Sequence, residues 1–62
     1  MSGIITDKIF EQIMAIRRSG KVNMFETNTV QYLANEEEFY ELVILIEENK
    51  RAYLDFILTG ER

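Results

Sequence analysis

Residues 35–60 read NEEEFYELVILIEENKRAYLDFILTG, and the way this stretch divides decides the fold of the 62-residue chain. Asn35 followed by Glu36, Glu37 and Glu38 has the form of a helix start: an N-cap amide, a capping-box glutamate and carboxylates that complement the positive end of the macrodipole. From Phe39 the apolar residues recur at helical spacing as Phe39, Leu42, Val43, Ile46, Tyr53, Leu54 and Ile57. Glu37, Glu41, Glu48 and Asp55 fall on the opposite side, and Gly60 supplies a left-handed stop after Thr59. Asn49 raises a second reading, in which it ends one helix and caps the next, because Lys50 falls within the apolar stripe. The charges favour continuity. A break leaves Glu47 and Glu48 at a negative helix end and Lys50 and Arg51 at a positive one. An unbroken helix instead pairs Glu47 with Lys50 and Arg51, Glu48 with Arg51, and Arg51 with Asp55, while Lys50 runs its stem along the stripe. The expectation is one helix over residues 36–59, about 24 residues and ~36 Å long.

Upstream, Ile9, Ile13 and Ile16 recur at helical spacing, widened by Phe10 and Met14. Thr6 suits the N-cap, Asp7 the first turn, Arg17 and Arg18 the last, and Gly20 the stop, which predicts a helix over residues 7–19. Lys21 to Thr27 forms a connector whose Val22, Met24 and Phe25 plug the end of the core. A short helix over residues 29–34 follows, with Asn28 and Gln31 as a capping box and Val30, Leu33 and Ala34 on its buried face.

The balance of 47% hydrophobic and 29% charged residues is that of a folded domain and not of a disordered tail. A chain this short buries about 60% of the surface its unfolded form exposes, and its core supplies ~3–5 kcal/mol. With no cysteine and no histidine, disulfide and thiolate-zinc staples are removed. A compact globule of this length has a radius of gyration of ~10–11 Å, too small to cover a helix of ~36 Å. The fold expected is therefore all-α: a single domain over residues 1–62, two shorter helices packed on a long C-terminal helix, paired as an intertwined or antiparallel helical homodimer. Phe39, Tyr40, Val43, Ile44, Tyr53, Phe56 and Ile57 are the candidate interface. Tyr40, Ile44 and Leu45 fall outside the main stripe, and Tyr40 and Tyr32 with Ile44 form an amphipathic patch for a partner or a second copy.

The same composition excludes a cysteine nucleophile and a histidine base. Ser2 and Ser19 sit beside no plausible base, and no Walker loop, dinucleotide fingerprint or zinc spacing occurs. Glu37, Glu41 and Glu48 share a helix face, where they read as a solvated acidic surface better than as a cation site. No catalytic, cofactor or metal residue is expected, and the chain reads as a non-enzyme. Arg17, Arg18 and Lys21 form the one basic cluster and are the possible phosphate contacts of an alternative reading as a small dimeric DNA-binding regulator or packaging-associated protein. The net charge of −4 and the glutamates at the helix start disfavour nucleic acid. The longest apolar run, Leu42 to Ile46, is far short of the ~20 residues of a membrane span, and with no signal segment the expected location is cytoplasmic.

The chain resembles a family of short proteins encoded by phages and prophages of Gram-positive bacteria. The resemblance rests on Ala15-Ile16-Arg17 with Ser19-Gly20, Asn23-Met24-Phe25, Val30-Gln31 and Ala34. It continues in Phe39-Tyr40-Glu41-Leu42-Val43, Glu47, Tyr53 and Phe56-Ile57-Leu58-Thr59-Gly60. It implies a phage origin and action inside a bacterial host, and it carries over no activity, cofactor or site residue. The expected function is a protein–protein interaction module acting on a host or phage protein, for example as an inhibitor of a defence component or host factor.

Overall fold

The computed structural model describes residues 5–20 and 22–60. Three helices follow in order, α1 (Asp7–Ser19), α2 (Thr27–Glu36) and α3 (Tyr40–Thr59), and the described residues contain no strand. The fold is all-α. Local chemistry accounts for α1 completely. The Thr6 hydroxyl accepts a hydrogen bond from the Ile9 N–H at 3.2 Å, satisfying one orphan donor of the first turn. At the other end Gly20 takes φ +70° and its N–H donates to the Arg17 carbonyl, a conformation that costs glycine nothing. Gly60 ends α3 in the same way, at φ +80° with its N–H on the Phe56 carbonyl.

The junction of α2 and α3 departs from expectation. α2 begins at Thr27, without a side-chain cap, and runs through Asn35 to Glu36. Asn35 is thus an interior residue and not an N-cap, and Glu36, Glu37 and Glu38 end one helix instead of opening the next. The Glu38 N–H donates to the Asn35 carbonyl and the Phe39 N–H to the Ala34 carbonyl, the two bonds of a Schellman turn. Such a turn needs a left-handed residue, and here it is Glu38 at φ +64°. A non-glycine residue there costs about 1–2 kcal/mol, and glycine's larger unfolded-state entropy gives back about 0.5–1 kcal/mol of that. Glu38→Gly should therefore raise the melting temperature by a few degrees, as read by circular dichroism.

α3 does not run straight. Asn49 has φ −148° and ψ 60°, well outside the helical region, so the unbroken helix expected from the charges is not formed. The buried residues of α3 are Leu42, Leu45, Ile46, Tyr53 and Phe56. Their spacing puts position 49 on the core stripe, where an amide without partners would cost about 1–3 kcal/mol. The break turns Asn49 out to solvent, and its Oδ1 accepts from the Ala52 N–H at 3.4 Å as a cap for the second half. Exposed ion pairs contribute only about 0.3–0.5 kcal/mol each. Among the described residues, none of the expected pairs of Glu47 and Glu48 with Lys50 and Arg51, or of Arg51 with Asp55, closes to 4 Å.

All three helices feed one core, built around Ile9, Ile13 and Ile16 of α1, Val30 and Ala34 of α2, and the buried face of α3, with Ile5 at its edge. The radius of gyration is 10.2 Å and the longest dimension 29 Å. This single chain closes its own core, because its last helix bends. The ~36 Å helix that called for a second copy is absent. No helix among the described residues is long and apolar enough to cross a membrane.

Candidate functional site

Each half of α3 is held by a different set of neighbours. Gln12 lies on the core stripe of α1 between Ile9, Ile13 and Ile16, with only 6% of its surface exposed. Its Oε1 accepts from the buried Leu42 N–H at 3.1 Å, and its Nε2 donates to Glu41 Oε1 at 3.0 Å. Since α3 has no side-chain cap of its own, α1 supplies one from across the fold. From the other flank, Gln31 of α2 donates to Glu47 Oε1 at 2.9 Å. The second half of α3 is fixed by Tyr53, whose hydroxyl donates to the Met24 carbonyl at 2.7 Å, and by Phe56. The Phe56 ring meets Phe10 edge-on, with centroids 5.8 Å apart. Burial pushes the Tyr53 phenol up to about 12.

The Gln12 amide first, then Glu41's own backbone N–H, hold the Glu41 carboxyl below the ordinary carboxylate range against an opposing desolvation, with a lesser contribution from the Lys8 ammonium at 3.6 Å. A lowered folded-state value means that stability is fully present above the unfolded value of about 4.3 and is lost as pH falls through the folded one. Glu41→Gln should therefore melt below the parent at neutral pH, with the gap narrowing as the pH drops below about 4. Thermal melts of both proteins across that range check this.

Between α1 and the start of α3 lies an open groove of about 820 Å³. Phe10, Met14, Ala15, Phe39 and Tyr40 provide its apolar lining. Lys8, Glu11 and Arg18 border it from α1, and Glu37, Glu38 and Glu41 border it from the α2–α3 turn. Tyr40 is 51% exposed, and Ile44, one turn along α3, is 54% exposed. Both face away from the buried Leu42 and Ile46. Tyr32 is also exposed, but it sits on α2 in a separate shallow depression with Asn28, Gln31, Asn35 and Val43.

The candidate interface residues thus divide. Tyr40 and Ile44 are on the surface, and Phe39, Val43 and Ile57 are half-buried. Tyr53 and Phe56 belong to the core of the single chain; stripe position alone had grouped them with the rest. Phe25, read as a core plug, is half exposed, whereas Val22 and Met24 do pack on the core. Arg17 and Arg18 are exposed but line different recesses: Arg17 beside Met24, Phe25 and Ile57, Arg18 in the groove. Lys21, the third of the possible phosphate contacts, and Ser2 lie outside the described residues. Glu37 is in the turn, not on α3, so it does not share a helix face with Glu41 and Glu48. Gln12 was missed by sequence reasoning, although a glutamine set among isoleucines on a core stripe already demands a buried partner. Gln31, read as forming a capping box with Asn28, instead donates to Glu47 across α2 and α3, and α2 has no side-chain cap.

No similar curated protein and no similar solved structure was found for this chain. Residues 5–61 match DUF5049, a domain of unknown function. That match takes in all three helices and both sides of the groove, and the chain belongs to the DUF5049 family.

Proposed function

We propose that this protein is a non-enzymatic protein–protein interaction module of phage or prophage origin, acting in the cytoplasm of a Gram-positive host on a host or phage protein. The observation that carries this reading is the outer face of α3, where Tyr40 and Ile44 stay half exposed one turn apart while the core closes without them. Tyrosine is among the side chains enriched at protein contacts and at their energetic anchors. The resemblance to short phage and prophage proteins supports the setting. A second copy is not required by the fold, since Tyr53 and Phe56 are already covered within one chain. The DNA-binding alternative draws no support from Arg17 and Arg18, which open onto different recesses.

A photoreactive phenylalanine analogue placed at Tyr40 or Ile44 in host cells tests the reading. Both positions should yield adducts with one and the same protein, and the same analogue at the exposed Asp55 should yield none. Equal adducts from Asp55, or adducts only between copies of this chain, would contradict it.

A further inference from the structure

The groove beside Tyr40 says what kind of partner fits. Residues 36–48 contain six carboxylates (Glu36, Glu37, Glu38, Glu41, Glu47 and Glu48) and no basic side chain. The rest of the chain has five acidic and seven basic residues, a balance of +2 against a total of −4. The negative charge is therefore gathered at the α2–α3 turn and the first half of α3, and three of these carboxylates, Glu37, Glu38 and Glu41, line the groove beside Met14, Phe39 and Tyr40. An isologous pairing would set this acid-rich lining against its own copy, and like charges brought together at a contact are costly. A lysine- or arginine-bearing segment has the opposite requirement. Its apolar side matches Met14, Phe39 and Tyr40, and its cations match Glu37 and Glu38.

Resting on the reading above, we propose that the groove between α1 and the start of α3 receives a basic amphipathic segment of the protein partner, with its apolar side against Met14 and Tyr40 and its cations toward Glu37 and Glu38. The α1 wall from Lys8 to Arg18 rises ~15 Å, enough for a helical segment of about ten residues. Lys8 is already engaged with Glu41, so Glu11, Glu37 and Glu38 set the local charge against Arg18. Association is then steered by charge and weakened by salt.

The test uses the whole chain and a helical leucine–lysine peptide as the probe, followed by amide NMR and titration. Shift changes should gather at Met14, Phe39 and Tyr40. Tyr40→Ser, and Glu37→Gln combined with Glu38→Gln, should each weaken binding by about tenfold, with Asp55→Asn without effect. All of these positions are exposed, so the fold is retained. Equal binding of a leucine–glutamate peptide, shifts outside the groove, or a doubled mass abolished by Tyr40→Ser would each overturn the proposal. If the peptide ignores the groove while position 40 still forms adducts with a protein in cells, this proposal alone fails. Loss of those adducts ends the broader reading too.

Discussion

Tyr53→Ala should leave the chain largely unfolded at room temperature. Tyr53 is fully buried, and truncating a large aromatic in a core costs about 3–5 kcal/mol through lost transfer energy and the cavity left behind. A domain of this size has ~3–5 kcal/mol to lose. The side chain also ties the connector to α3 through the Met24 carbonyl, so its removal frees two elements at once. Tyr53→Phe separates these contributions: it keeps the ring and loses only the hydrogen bond, for about 1 kcal/mol. The raised phenol adds an alkaline signature. A folded-state value of about 12 against an ordinary 10.0 means that the unfolded chain sheds its proton first, so stability falls as pH climbs from about 10 to 12. Tyr53→Phe should lack that part of the alkaline decline. Urea titrations of the parent and both variants at neutral and alkaline pH measure all three effects.

Gln12→Ala is expected to have the next largest effect. It leaves the buried Leu42 N–H without its acceptor, a penalty of about 1–3 kcal/mol, and removes the bond that aligns Glu41. At roughly 4–8 °C per kcal/mol for a domain of this size, the melting temperature should fall by about 10 °C. Gln12→Glu discriminates a specific cap from mere space-filling. Glutamate keeps an acceptor for Leu42 but sets a carboxylate against Glu41. Adding Glu41→Gln restores a donor–acceptor pair with the roles exchanged. The double variant should therefore melt above Gln12→Glu alone, a coupling that a double-mutant cycle isolates. Equal melting of the two would show that Gln12 merely occupies volume.

The parts of this fold that were legible are those whose signals are local. Thr6, the isoleucine stripe and Gly20 define α1 because cap, periodicity and stop all lie within one segment. Gly60 marks the end of α3 for the same reason. The start of α3 was not legible in that way. Its left-handed residue is Glu38, which carries no glycine signal, and its cap comes from Gln12, 30 positions away from Leu42 in sequence. The acidic run after Asn35 imitates a helix start so well that the Schellman turn underneath is hidden. Asn49 was misread because solvated charge pairs were set above the cost of placing an amide on a core stripe. Leu45 was also misread: set outside the stripe, it lies three residues after Leu42, on the same helix face, and is buried.

Of the candidate surface, Tyr40 and Ile44 could be read as residues left outside the main stripe. Tyr53 and Phe56 could not be told apart from them. Periodicity reports that a side chain faces a core, without saying whether one chain or two will build it. That distinction depends on a bend of a single residue.

Tyrosine nitration under native conditions, mapped by peptide mass spectrometry, tests most directly whether one chain closes its core and leaves the Tyr40 face free. The structure predicts that Tyr32 and Tyr40 are modified while Tyr53 is protected. Protection of Tyr40 in the isolated protein, or modification of Tyr53 alongside it, would contradict the account.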